Sequence, residues 1–433
     1  MDKYSETLDW IYELRGGEID LRLDRMDRAL GLFDHPEKRF PSFHVAGTNG
    51  KGSVSAILHR ILCLAGYRTA LYTSPHLVSF TERIRIGDQE IAPAEVIVLA
   101  EEIRARTARA DIALTFFEFA TVMAFVHFAR QGVEVGVIEV GLGGRLDATN
   151  LVQPVVSVIT TISKDHEAYL GSEIGSIAWE KGGIIKPGMP VTCGNLPAEA
   201  VAVIKSLAKN RGTACYFLTS EYDFALNDDD LFDYKGLKQY FSNLTVALRG
   251  RHQMANASVA LSALELASGR FPLNELAIRE GLRTVRWPGR FEVLGEGPVI
   301  VLDGAHNGEG AKALAEVLGD FRRGRKVRFL FASMQDKDWR LILDTLARFA
   351  DEFVFARVHL ERSADPQQLA AYLNEKVPCR VIEDSHAALR TIVSGAQAND
   401  IVMIAGSLYL LGEIRPLAQE ISRGGLGSAS PPQ

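Results

Sequence analysis

Phe43-His44-Val45-Ala46-Gly47-Thr48-Asn49-Gly50-Lys51-Gly52-Ser53 is the stretch that decides the fold of this chain. Residues 43–46 read as a buried strand. Gly47, Gly50 and Gly52 then let the backbone turn sharply and come close to a ligand. After the turn, Val54, Ile57, Leu58, Ile61, Leu62 and Ala65 recur at the helical period, so a helix begins there and buries one face. A strand, a glycine turn and a helix in this order aim backbone N–H groups and the positive end of the helix at one point, where an anion binds. Lys51 adds a cation, and Ser53 a hydroxyl able to bind phosphate or help hold Mg2+. The stretch predicts a nucleotide triphosphate site. A plain turn between buried elements has no need of three glycines, a lysine and a serine within seven residues. The spacing differs from the common Gly-x-x-x-x-Gly-Lys-Ser/Thr: Val45 stands where that motif has its first glycine, and Gly52 separates Lys51 from the hydroxyl.

Outward from this turn, apolar runs and helical patterns alternate. Residues 68–73, 133–140 and 155–162 read as strands, and the near-continuous apolar character of the last two suits a parallel sheet covered on both faces. Residues 93–110 and 116–130 read as helices. From 215 to 249 the pattern breaks into short strand-like runs around Asn227-Asp228-Asp229-Asp230, which predicts a small antiparallel appendage with a solvated acidic turn. Arg286-Trp287-Pro288-Gly289-Arg290, followed by Gly295, Gly297 and Pro298, marks a domain boundary. Beyond it, residues 299–302, 327–332, 352–356 and 401–405 alternate with helical patterns. The expected organisation is an α/β chain. An N-terminal P-loop ATPase domain with a mainly parallel sheet covers 1–286, and 287–298 form a linker. A C-terminal Rossmann-like α/β domain covers 299–422, and 423–433 a disordered tail.

Composition limits the function. With 433 residues, 47% hydrophobic and 24% charged, the chain is an ordinary globular protein long enough for two domains. A net charge of -6 argues against a broad nucleic-acid surface. No apolar run reaches the roughly 18 residues of a membrane span, and the polar N-terminus has no hydrophobic targeting core. Four scattered cysteines suggest neither a zinc site nor a disulfide framework. A cytoplasmic enzyme that engages neither membrane nor nucleic acid is expected.

In open α/β sheets, ligands gather beyond the carboxyl ends of the strands. Glu139 ends an apolar strand there, where a carboxylate beside a phosphate turn commonly binds Mg2+. His166 follows the next strand as a metal or phosphate contact. Ser74 ends the second strand, in a Ser-Pro that is first of all a turn.

Gly-Thr-Asn-Gly-Lys-Gly-Ser at 47–53 resembles the Mur ligase superfamily and, within it, the folylpolyglutamate synthase/dihydrofolate synthase family. Thr73-Ser74-Pro75-His76-Leu77, residues 139–150, Asp165-His166, Trp179-Glu180-Lys181-Gly182-Gly183, residues 250–257, Pro288-Gly289-Arg290, Asp303-Gly304-Ala305-His306-Asn307 and Gly406-Ser407-Leu408-Tyr409-Leu410 carry the resemblance in family order. The resemblance implies that Asn49, Gly50, Lys51, Gly52 and Ser53 wrap the ATP phosphates, and that Asn256, Arg290 and Asp303 also contact ATP. It implies Mg2+, two ions, held by Ser74, Glu139, His166 and Lys181, the last carried as N6-carboxylysine, and it leaves room for a monovalent cation. Lys51, Glu139, His166 and Lys181 are its catalytic group. Substrate contacts fall on Asp24, Arg25 and Met26, on Thr115, Phe116, Phe117 and Glu118, and on Arg145, Leu146 and Asp147, with His306 and Ser407 at the incoming glutamate.

The implied activity is ATP-dependent addition of L-glutamate to dihydropteroate, to reduced folates, or to both, through an acyl phosphate. The protein is expected to act as a monomer on these small molecules. Arg145-Leu146-Asp147 and its surroundings favour dual activity. A cell-wall Mur ligase would place a UDP-binding domain before the phosphate turn, where only 46 residues precede Gly47. A GTPase would carry a guanine-reading Asn/Thr-Lys-x-Asp, which Ser163-Lys164-Asp165-His166 and Asp336-Lys337-Asp338-Trp339 do not match.

Overall fold

The computed structural model describes residues 2–14, 22–227 and 231–424. They fall into two compact units. The first holds 80–247 and 253–286 together with the chain up to His76; the second holds 77–79, 248–252 and residues 287 onward.

The first unit is built on an eight-stranded sheet: β1 (Ser42–Ala46), β2 (Thr69–Tyr72), β3 (Ile84–Ile86), β4 (Gln89–Glu90), β5 (Val135–Glu139), β6 (Pro154–Ile159), β7 (Val191–Cys193) and β8 (Cys215–Phe217). Their order is β4-β3-β2-β5-β1-β6-β7-β8. The six strands from β2 to β8 in that order run parallel, and β3 and β4 close the edge antiparallel. β1 is flanked by β5 and β6, so Val45 faces Glu139 on one side and Val158 on the other. All five residues of β1 and of β5 are buried, as sheet strands covered on both faces require.

The helix Lys51–Leu64 packs against β1, β2 and β5. Val54, Ile57, Leu58, Ile61 and Leu62 have no exposed surface, each worth about 1.5–3 kcal/mol of burial. A second core gathers around the helix Phe116–Arg130, with Tyr72 and Ile138 from the sheet and Phe40 in edge-on contact with Phe125 and Phe128.

A three-stranded antiparallel sheet, β9 (Asp223–Leu226), β10 (Phe232–Lys235) and β11 (Tyr240–Leu244), forms the appendage. The expected start at Cys215 is corrected: Cys215–Phe217 is the last parallel strand of the main sheet, too short to show a pattern in sequence. Three of the four acidic-turn residues, 228–230, lie outside the described residues.

The second unit carries β12 (Glu292–Leu294), β13 (Val299–Leu302), β14 (Val327–Phe331), β15 (Glu352–Arg357), β16 (Cys379–Asp384) and β17 (Ile401–Ala405), in the order β12-β13-β17-β14-β15-β16. Only β12 is antiparallel. One face packs Phe329, Phe331, Phe353 and Phe355; the other packs Leu330, Val354, Val402 and Ile404. β12 lies inside the segment read as a linker, so that segment is partly sheet. Arg423 and Gly424, read as tail, complete the helix Leu408–Gly424, and 425–433 lie outside the described residues.

Candidate active site

The phosphate turn is held by the end of β6. Gly47 has φ 151°, and a side chain there would collide with Thr160 Oγ1; Gly50 has φ 85°, and a Cβ would lie 2.6 Å from Asn256 Oδ1. Only glycine fits both. The Thr48 N–H donates to Thr161 O at 2.8 Å, and the Asn49 N–H to Thr161 Oγ1 at 2.9 Å. Thr160 Oγ1 donates to Asn49 O at 2.6 Å, and Thr48 Oγ1 to Ser163 O at 3.1 Å. Gly50 caps the following helix in the left-handed region without a side-chain bond, and a helix N-terminus of this kind attracts an anion. Thr160 and Thr161 do this bracing, and sequence reasoning passed over them. Two threonines closing an apolar strand beside a glycine turn were the available signal.

Two amines converge on this turn. Lys51 Nζ donates to Gly47 O at 3.0 Å and to Thr48 O at 3.1 Å; Lys181 Nζ donates to Gly47 O at 3.0 Å. Lys181, on the helix Ile174–Gly182, is 5% exposed. Burial, and then the charge of Lys51, pushes its amine down to about 7, so neutral amine is present at physiological pH.

Glu139, buried at the end of β5, accepts the Ser74 N–H at 3.1 Å. The Ser53 hydroxyl is buried and has no hydrogen-bond partner among the described residues. A carboxylate and serine hydroxyls, as on Glu139, Ser53 and Ser74, are the kind of oxygen donor that a hard divalent cation takes. No group of three His, Cys, Asp or Glu side chains with metal-holding geometry occurs among the described residues. His166 begins the short helix Glu167–Leu170, with an exposed ring 4.0 Å from Asp165 Oδ2. Asn256 is buried against Gly50 and donates to Gln253 Oε1 at 3.0 Å.

Two of the three expected pteroyl segments are joined directly, and the loop that carries the third lies against one of them at Gly141. Arg25 binds Glu118 through Nε and Nη2 at 2.9–3.0 Å. A Cβ on Gly141 would strike the Phe117 ring at about 2.5 Å. Arg145 pairs with Glu180 at 2.9 Å, and its guanidinium sits 4.3 Å from the centre of the Trp179 ring. Within this group the structure alters several readings. Met26 is wholly buried in the core and presents no side chain to a ligand. Glu118 closes a capping box with Thr115 while binding Arg25, so protein donors engage both of its oxygens. Asp147 is buried and organises its own loop, accepting from Leu142 N at 2.8 Å, Thr149 N at 3.0 Å and Thr149 Oγ1 at 2.5 Å. Asp24 is exposed, and Thr115, Phe116, Phe117 and Leu146 are half-buried.

In the second unit, Asp303 accepts from Phe291 N and Ala305 N, both at 2.9 Å, and fixes the turn that carries Arg290. Burial raises the Asp303 carboxyl, with Arg290 opposing. His306 Nδ1 lies 2.7 Å from Gly304 O. Ser407 is buried, and its Oγ accepts the Tyr409 N–H at 3.2 Å. A bond from Gly406 N to Ala305 O at 3.0 Å brings the His306 and Ser407 segments side by side at the ends of β13 and β17.

Residues 45–264 match the Mur ligase middle domain, and residues 289–408 match the Mur ligase glutamate ligase domain. The chain is 33% identical over 428 residues to the dihydrofolate synthase/folylpolyglutamate synthase of Bacillus subtilis, covering 95% of this chain and 98% of that protein. It is similar to the solved structure of Escherichia coli FolC in complex with DHPP and ADP, at 32% identity and TM-score 0.88, covering 96% of this chain and 97% of that one. The bifunctional Yersinia pestis enzyme complexed with AMPPNP and Mn ion aligns at 34% identity and TM-score 0.87, covering 96% and 98%. The chain belongs to the Mur ligase family, in its dihydrofolate synthase/folylpolyglutamate synthase group. That membership makes it an ATP-dependent acid–amino-acid ligase.

Proposed function

We propose that this ligase joins L-glutamate to dihydropteroate and to reduced folates, with ATP as co-substrate. The observation that carries the reading is the convergence of Lys51 and Lys181 on the Gly47 carbonyl, beside the strand end that bears Glu139. A positive, glycine-walled turn next to a single buried carboxylate suits a metal-bound polyphosphate. The acid's carboxylate oxygen attacks the γ-phosphorus and ADP leaves. The glutamate amine then attacks the acyl carbon and phosphate leaves. The turn amides and Lys51 hold the phosphates in line, and little more is asked of the protein in such a transfer. Mg2+, when bound, neutralises and orients the phosphates; Ser53, Ser74, Glu139, His166 and Lys181 are its candidate holders.

The depressed Lys181 amine supports carboxylation. A neutral amine adds CO2 with loss of one proton, turning a buried cation into an anion able to face a second metal ion. The loop around Arg145 and Asp147, with Phe117 and Arg25, receives the pteroyl acid. In the second unit, Arg290 and Asp303 bind nucleotide, and His306 with Ser407 receives glutamate. No helix among the described residues is long and apolar enough to cross a membrane. A monomeric cytoplasmic enzyme, with a monovalent cation as a further cofactor, completes the proposal.

Purified protein given ATP, Mg2+ and glutamate, with dihydropteroate and tetrahydrofolate supplied separately, tests this by mass spectrometry of the products. Glutamylated product from both acceptors is expected. Product from tetrahydrofolate alone would end the dual reading, and product from neither would end the folate reading.

A further inference from the structure

Behind the loop 141–150 lies an imidazole that the chemistry above does not use. His44 sits in the middle of β1 with no exposed surface, paired in register with Ile138 and Ser157. Its Nε2 is 2.8 Å from Thr149 Oγ1, which is 2.5 Å from Asp147 Oδ1. The other Asp147 oxygen accepts the Leu142 N–H at 2.8 Å. Among the described residues, His44 Nδ1 has no hydrogen-bond partner.

Counting protons gives this chain a direction. The Thr149 hydroxyl has one hydrogen, and the Asp147 carboxylate takes it. Toward His44 the hydroxyl can therefore only accept. The ring must therefore carry a proton on Nε2, and with no acceptor at Nδ1 to stabilise a second proton the neutral form with bare Nδ1 is favoured. Burial acts the same way, with the charge of Lys186 second, and pushes the ring down to about 3. A side chain that merely filled this strand would be aliphatic, since a half-satisfied buried ring costs stability. β1 also runs directly into Gly47, so one strand carries both the phosphate turn and the anchor of the neighbouring loop.

We propose that His44 is a positioning residue: through Thr149 and Asp147 it ties the pteroyl-acid loop to the strand that feeds the phosphate turn, and so sets where the acid meets the nucleotide. The proposal rests on the reading that Arg145 to Asp147 form the pteroyl-acid side.

Steady-state kinetics at saturating glutamate, with ATP and dihydropteroate varied in turn, test it. His44→Leu and Thr149→Val should each raise the KM for dihydropteroate about tenfold, the scale of one buried hydrogen bond. The KM for ATP should stay within about twofold, and the double variant should be no worse than Thr149→Val alone, since that change already breaks both links of the chain. His44→Gln, whose amide can donate to Thr149, should recover most of the loss, as Thr149→Ser should for Thr149→Val. Nitrogen-15 NMR should show a bare Nδ1 and a protonated Nε2 from about pH 5 to 8. An unchanged dihydropteroate KM in folded Thr149→Val enzyme, equal rises in both KM values, additive losses or a protonated Nδ1 would each overturn the proposal. Asp147→Asn separates it from the reading beneath. If that variant leaves the dihydropteroate KM unchanged, the pteroyl-side reading falls; if it raises KM while His44→Leu does not, only the role of His44 falls.

Discussion

Two glycine-rich loops follow adjacent parallel strands of one sheet, and they are built on opposite plans. The turn 47–50 after β1 is braced from outside by Thr160, Thr161 and Ser163, and its helix cap makes no side-chain bond. The loop 141–150 after β5 is braced largely by its own side chains, with ties outward to Glu180 and, through Thr149, to His44. Asp147 gathers Leu142 and Thr149, Asn150 donates to Arg145 O at 2.9 Å, and the Arg145 N–H reaches Glu180 O at 2.8 Å. Ligand-binding polarity is thus backbone polarity in the first loop, whereas in the second the conspicuous polar side chains also serve as struts. The comparison teaches that a charged residue in a family motif can be a structural member of the site it marks.

Substitutions that separate ligand from strut test this contrast. Lys51→Ala should lower kcat by about 10²–10³-fold or more, on the scale of losing one preorganised phosphate donor, with the melting temperature unchanged. A large fall in stability would make Lys51 a strut as well. Asp147→Ala should behave oppositely, destabilising the protein by roughly 2–4 kcal/mol in urea unfolding because the buried Thr149 N–H and the half-buried Leu142 N–H lose their acceptor. Retained stability would show that the loop holds itself by other means.

Lys181→Met probes the buried amine. In the unfolded chain this amine titrates near its ordinary 10.5, and in the folded protein at about 7. Between those values the unfolded state holds the extra proton, so stability rises with pH across that window, and below about 7 the cost of burying the ammonium is fully present. In CO2-free buffer, the variant's gain in melting temperature over the parent should be largest below pH 7 and should shrink toward pH 10. A gain independent of pH would place the effect in packing rather than charge. Ser53→Ala is the mildest change. Removing a buried hydroxyl that lacks a partner should leave apo stability equal or higher by about 1 kcal/mol, while metal-nucleotide affinity falls. Lower apo stability would reveal a structural hydroxyl.

Much of this was legible from residue order. The strand, turn and helix at 42–64 follow from apolar period and glycine spacing, and the strands 299–302 and 401–405 fall where the apolar runs lie. The strands misplaced or missed are short or sit at edges: Cys215–Phe217, with three residues, reads as part of the wrong sheet, and Cys379–Asp384 is polar because it is a half-exposed edge. The division of labour among motif residues was less visible. Thr115-Phe116-Phe117-Glu118 has capping-box spacing, which signals a helix start, yet the resemblance alone made it a ligand contact. Met26 and Asp147 needed three dimensions, since burial and backbone acceptance leave no trace in spacing. His44 had a faint signal, a lone histidine inside a buried strand.

The ligase reaction depends on direct oxygen transfer from the pteroyl acid to the γ-phosphoryl group. Dihydropteroate labelled with oxygen-18 in its carboxyl group, turned over with unlabelled ATP and glutamate, tests that step. Released phosphate is expected to carry one labelled oxygen per amide formed. Unlabelled phosphate alongside glutamylated product would contradict it.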